Sequence, residues 1–334
     1  MRKVFFILFF FGSLVSATAQ DPHFSQFFAS PLTLNPALTG KFDGDLRVAG
    51  NYRNQWPTIN RAFTTTTVSV DFPIMRNHIA PNDTWGVGLM GFSDQSANSA
   101  LKFNYLSVST AFHKGLDEDG YSQIGGGFQA SYSSMMINVS NLKFEDQLTP
   151  FGFTGTTSEV FNGSMIKKNY FDVNAGIMYS GSSTDKNYYY AGVSMYHITR
   201  PKQQFTDTGF FLLNPRTTFH AGTYFPAGDI GTIHFSGLYS TQAQASETVL
   251  GAAMQLNVSE GDKPVSVYVG SWYRFNDALI PYVGLDFDDF RLGATYDVNM
   301  SSLKAASQSR GGIEVSLIYI RRQPGSAGLP CPKF

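Results

Sequence analysis

From residue 45 to residue 320 the chain repeats one pattern: segments of about ten residues in which apolar side chains take alternate positions. In Arg291 to Val298, the residues Leu292, Ala294, Tyr296 and Val298 share one face, and Arg291, Gly293, Thr295 and Asp297 the other. Ile313, Val315, Leu317 and Tyr319 alternate likewise with Glu314 and Ser316. Phe171, Val173, Ala175, Ile177 and Tyr179 alternate with Asp172, Asn174 and Gly176. A two-residue period is that of a strand, whose side chains point in turn to opposite faces. Fourteen such segments are predicted: 45–55, 63–73, 84–94, 101–113, 121–135, 169–181, 187–197, 215–226, 231–242, 247–257, 264–274, 281–287, 289–298 and 311–320.

Alternation alone fits a soluble sandwich as well as a barrel in lipid, with the meaning of the two faces exchanged. The connections separate them. The three longest, 136–168, 198–214 and 299–310, are all odd-numbered, while the short turns Ser182 to Lys186, Ala227 to Ile230 and Glu260 to Lys263 are even-numbered. An even count of strands with both termini periplasmic places every odd connection outside the cell. A sandwich or propeller has no reason to sort loop length by parity. The expected fold is therefore all-β: a closed transmembrane antiparallel β-barrel of about 14 strands, with a polar lumen and an N-terminal arm outside the strand pattern.

The first residues add a destination. Arg2 and Lys3 precede an apolar run from Val4 to Phe11, and Ala17-Thr18-Ala19 supplies the small-residue cleavage site, so residues 1–19 read as a signal peptide. No later stretch approaches the ~18 consecutive apolar residues of a membrane-spanning helix. Bacterial outer membrane is the expected location. Residues 20–44 then form the arm, 45–320 the barrel and 321–334 an extended tail. The arm carries Phe24, Phe27, Phe28, Leu32, Leu34 and Leu38 between prolines, and would bury them under the barrel mouth or inside the lumen.

Composition agrees. Charged residues are 15% of the chain, against about 25% in a typical globular protein. Aromatic residues are also 15%, dominated by 30 Phe and 17 Tyr, as expected for a lipid-facing surface with aromatic girdles. Without Arg2 and Lys3 the chain has 22 basic against 25 acidic residues, a net −3, which argues against nucleic acid as a partner. A single cysteine, Cys331, leaves no internal disulfide.

Candidate chemistry is sparse. None of the six histidines stands in a metal-ligand spacing, although His220 and His234 fall on neighbouring strands. Asp286, Asp288 and Asp289 offer oxygens of the kind Ca²⁺ takes, or serve as turn formers, the reading their position favours. Gly125-Gly126-Gly127 lacks the rest of a phosphate loop and reads as a kink or a packed lumen site. An enzymatic alternative needs a Ser–His pair inside the barrel, with His113 or His234 as base. No catalytic residue, metal or cofactor is expected.

Several stretches together resemble the PorP/SprF family of Bacteroidota outer-membrane proteins. They are Gln20-Asp-Pro-His-Phe-Ser-Gln-Phe27 with Ser30 to Gly40, Tyr52-Arg-Asn-Gln-Trp56, Gly270 to Phe275 through Leu285, Tyr296 to Asn299 with Arg310 to Glu314, and the ending Pro330-Cys-Pro-Lys-Phe334. The resemblance implies a non-enzymatic part in type IX secretion or gliding motility. The implied partners are outer-membrane lipid, secretion components and a secreted adhesin or its C-terminal secretion domain. A passive channel for small solutes is the alternative. Candidate partner contacts are Phe24, Phe27 and Phe28 of the arm, Arg53 with Trp56, and Trp272 with Arg274. The last four also read as girdle aromatics beside snorkelled or lumenal arginines, which is the favoured reading.

Overall fold

A computed structural model describes residues 21–59, 63–76, 78–160, 163–184, 186–204, 210–228, 231–259 and 265–322. Residues 1–20, with the expected signal peptide, and residues 323–334 of the tail lie outside the described residues. Fourteen strands form one closed antiparallel barrel. They are β1 (Leu46–Gln55), β2 (Phe63–Ile74), β3 (Thr84–Ser96), β4 (Leu101–Gly115), β5 (Ser122–Asn138), β6 (Met165–Gly181) and β7 (Tyr188–Tyr196), followed by β8 (Arg216–Pro226), β9 (Gly231–Gln242), β10 (Ala245–Ser259), β11 (Val265–Arg274), β12 (Ala278–Phe287), β13 (Phe290–Asn299) and β14 (Arg310–Arg321). Each pairs with its neighbours in sequence, and β1 closes on β14 from Leu46↔Arg321 to Gln55↔Gly312. Closure removes the unpaired edges that an open sheet would expose to lipid.

The predicted alternation is borne out. Leu292 and Tyr296 are exposed outward while Gly293, Thr295 and Asp297 are buried inward; Ile313, Val315 and Leu317 point out, Glu314 and Ser316 in. Strand ends differ from expectation by a few residues. Among the largest shifts are those at β5 and β6, which run on to Asn138 and back to Met165, where the run Met135-Met136-Ile137 and the pair Lys167-Lys168 break the alternation. β12 begins at Ala278 rather than at the proline, because Pro281 sits where the β12–β13 ladder passes from Leu279 to Tyr282 without pairing. A proline is tolerated where no ladder donor is required.

The three longest connections, 139–164, 197–215 and 300–309, emerge at one end of the barrel. Two carry small hairpins that alternation did not reveal, Leu148–Thr149 with Gly152–Phe153 and Lys202–Gln203 with Phe211–Leu212.

Residues 21–45 do not lie beneath the barrel. They thread its lumen from the long-connection end, where Asp21 meets His197, to the short-turn end, where Asp45 leads into β1. Pro31 opens a single helical turn to Leu34, and Pro36 opens a tighter one to Leu38, with Asn35 Oδ1 accepting from the Ala37 amide at 2.8 Å. Proline suits these first positions because its missing N–H would find no helical partner there. The apolar core is lumenal: Phe27, Leu34, Ala37 and Leu38 pack against Tyr188, Tyr190, Trp272 and Tyr282 of the wall. Wall glycines make room for the backbone. A Cβ on Gly127 would stand 2.5 Å from the Pro36 carbonyl, and one on Gly86 2.3 Å from the Thr39 oxygen.

Candidate functional site

The alternation that turns apolar side chains to lipid turns the polar ones inward, so charges distant in sequence converge on the arm. At the long-connection mouth, Asp21 is held by three strands' worth of groups. Its Oδ2 lies 2.7 Å from His197 Nε2 and 3.6 Å from Arg216 Nη1. Its Oδ1 accepts from Gln242 Nε2 at 3.0 Å, and its amide donates to Gln242 Oε1 at 2.7 Å. His197 Nδ1 is in turn 2.6 Å from Asp172, which also accepts from Thr199 at 2.9 Å. Arg216 donates to the Thr33 carbonyl and lies 4.5 Å over the Tyr196 ring.

Burial opposes charge on both Asp21 and His197, yet the facing pair prevails. Asp21 is held well below the usual carboxylate range, chiefly by His197 and then Arg216. His197 is raised to about 9 by Asp21 and Asp172. His23 goes the other way. Burial, with Arg274 and Arg53 nearby, lowers it to about 4 although Glu247 stands 3.0 Å from its Nε2.

Four residues further on, Ser25 is the centre of a buried charge network. Its amide donates to Glu314 at 2.7 Å, and its hydroxyl donates to Asp297 at 2.7 Å while accepting from both Arg53 and Arg274. Arg53 bridges Asp297 at 2.9 Å and Glu314 at 3.1 Å; Arg274 reaches Asp297 at 3.0 Å and Asp277 at 3.1 Å. Each arginine stands between carboxylates and each carboxylate has an arginine beside it, the paired form in which buried charges are tolerated.

The lower arm is held differently. Leu32 O accepts from Gln129 and from the Tyr196 hydroxyl, Leu34 O from Ser194, and Ala37 O from His113 Nε2 at 2.7 Å. Asn35 Nδ2 lies 2.9 Å from His220 Nε2. At the short-turn end Asp71 accepts from the Gly40 amide at 2.7 Å and from Arg47, which also donates to the Leu38 carbonyl.

Of the candidate contacts, Phe24 and Phe27 are buried in the lumen, and Phe28 is half-buried there, 4.9 Å from Trp272. Arg53 and Arg274 meet around Ser25. Trp56 stands apart at the mouth, edge-on to Phe63. The girdle reading is corrected for Trp272, which faces inward and is nearly fully enclosed, while Arg53 and Arg274 take the lumenal of their two alternatives. Trp272 donates to Ser236 across the wall. The outward tryptophan is Trp85, whose Nε1 donates to Thr110. His220 and His234 do not pair, since register sets His220 opposite Leu238 and His234 opposite Tyr224. Among the described residues no three potential ligands gather for a metal. Asp286 accepts from Arg291 and Tyr268, and Asp288 takes a left-handed turn conformation. Gly127 is a packed lumen site beside Pro36. Sequence reading missed Asp21, Ser25, His197, Arg216, Asp297 and Glu314 as one system. The inward polar face was the available signal; their convergence required register.

A closed antiparallel cylinder with an apolar outer belt and a polar, charge-paired interior defines an outer-membrane β-barrel. Among solved structures the chain is similar to the Ralstonia pickettii toluene transporter TbuX, at 9% identity and a TM-score of 0.51 over 88% of this chain and 93% of that one. It is also similar to the Pseudomonas putida toluene transporter TodX, at 10% identity and a TM-score of 0.49 over 87% and 92%. A Pseudomonas aeruginosa FadL homologue follows at 10% identity and a TM-score of 0.47 over 85% and 92%. At 9% identity the likeness to TbuX speaks for the fold alone. The family model for the type IX secretion system membrane protein PorP/SprF matches residues 16–319, and the chain belongs to that family. No curated protein sequence matches it.

Proposed function

We propose that this barrel is a non-enzymatic docking component of type IX secretion, holding a secreted cargo adhesin, its C-terminal secretion domain or the machinery itself. One observation carries the reading: the chain's own residues 21–45 occupy the lumen, leaving the mouth and long connections as the surfaces offered to partners. In this reading the long connections face the cell exterior and the short turns the periplasm. The connections are apolar at their tips, with Phe151 90% and Val160 89% exposed and Phe210, Phe211 and Leu212 exposed on the second. Exposed apolar side chains clear of the barrel wall are what a protein partner covers. Arm residues Phe24, Phe27 and Phe28 contact a partner only if the outer arm is lifted, so the loops are the first point of contact.

The test is co-purification from outer membranes. Replacing residues 144–160 by a short Gly-Ser linker is expected to release a type IX component, or a secreted protein bearing a type IX C-terminal domain, that the native barrel retains. Steady selective conductance by the native protein in a planar bilayer, with no such companion, would instead establish the solute channel.

A further inference from the structure

Two cavities flank Asp21-Pro22 inside the mouth, and both reach Arg216. One, of about 60 Å³, is lined by Phe24, Phe27, Leu34 and Leu238, with Glu247 at its edge. The other, of about 30 Å³, is lined by Phe92, Phe103, Tyr105 and Tyr196, with Ser131 and Ser133. Each has room for the end of one side chain. Between them the wall presents His197, Arg216 and Gln242, and Gln242 pairs with the amide as well as the carboxylate of Asp21. Taken without Asp21, that wall keeps the Arg216 guanidinium and the Gln242 amide as donors, with His197 still paired to Asp172. Amide donor, carboxylate, and an apolar slot on either side are the features of a peptide ligand, here supplied from within the chain.

We propose that the mouth is a receptor for a peptide carboxylate flanked by apolar side chains, a site that Asp21 fills as a tethered stand-in. The occupant's protein nature rests on the docking function above; the carboxylate preference rests on the wall residues. Its source is an acidic side chain or a chain's C-terminus, since both place a carboxylate close to a main-chain amide. A tethered competitor acts at an effective concentration of order mM, so the native protein masks the site and removal of the tethered carboxylate exposes it.

The experiment uses the full-length protein in detergent and fluorescence anisotropy with four fluorescein-Gly-Ser-Gly probes. Two end in Phe-Asp-Phe-amide or Phe-Asn-Phe-amide; two end in Phe-Leu, as the free acid or the amide. The Asp21→Ala variant is expected to bind one carboxylate probe at least about tenfold tighter than the native protein and than the matched neutral probe. Which acid wins identifies the source. Adding Arg216→Gln is expected to erase the preference. Asp21→Asn, which keeps shape and amide, provides the same comparison should Asp21→Ala fail to fold. Equal binding of acid and neutral probes, no gain on removing the Asp21 charge, or no binding at all would overturn the proposal. No companion on the native barrel together with a surviving probe preference would sink the docking function alone; a retained companion without any probe preference would sink only this site.

Discussion

The two halves of the arm lie in the same lumen but are held by different physics. Residues 21–26 are fixed by charge: Asp21 to His197, and Ser25 and Gln26 to the Arg53, Arg274, Asp297 and Glu314 cluster. Residues 31–39 are fixed mainly by shape, with prolines, glycine-lined clearance and mostly neutral donors to carbonyls, Arg216 on Thr33 and Arg47 on Leu38 excepted. Charge is strong but exchangeable, because a rival ion of the right sign makes the same bonds. Close packing admits no rival of different shape. The outer half is thus built to hold and release, the inner half to stay.

The contrast breaks most forcefully at Arg53. Its replacement by Met strands Glu314 and much of Asp297 without a counter-charge, an effect on the order of 3–5 kcal/mol. Urea titration of the heat-modifiable folded band on gels is expected to show the loss. Next comes the inner half. Gly127→Val forces a side chain into the Pro36 carbonyl, and overpacking of this kind costs about 1–3 kcal/mol. Proteolysis should then cut near residues 31–39 while the barrel persists, and cleavage confined to 21–26 would contradict the division.

A milder probe is pH, which should loosen the outer half on either side of an optimum. His197 is raised above its unfolded value, so its contribution is complete below about 6.5 and is lost as pH rises through about 9. His23 is depressed, so its contribution is complete above about 6.5 and is lost as pH falls through about 4. The outer arm is therefore held best near pH 6.5, with protection of its amides against hydrogen exchange falling on either side. Asp21 weakens it further once pH drops below the ordinary carboxylate range. The smallest effect belongs to one neutral bond: Ser194→Ala, which frees the Leu34 carbonyl, should cost about 1 kcal/mol with no pH dependence.

The barrel was legible because one short rule, out for apolar and in for polar, repeats along every strand and is read without knowing any contact. Asp172, Asp297 and Glu314 were correctly turned inward on that rule. Their partners were not legible, because Arg53 and Glu314 are 261 residues apart and meet only once the closing register aligns β1 with β14. The arm is illegible for the same reason: its prolines and phenylalanines declare that it is not a strand, while its path depends on clearances such as Gly86 and Gly127 in strands elsewhere. Trp272 misled because an aromatic next to an arginine suits a girdle and a lumen equally; only its place opposite Ile280, on the inward face, decides.

The first described residue lies at one rim of the cylinder and Arg322 at the other, while both ends of the chain lie outside the described residues. Topologically the molecule is a ring tied around its own thread. If the seam between β1 and β14 zipped first, Asp21 and its neighbours would have to be dragged, hydrated, past the tightest stretch of a finished tube. Laying the thread down before the last seam closes avoids that passage, which makes residues 21–45 a mandrel on which the wall is wound.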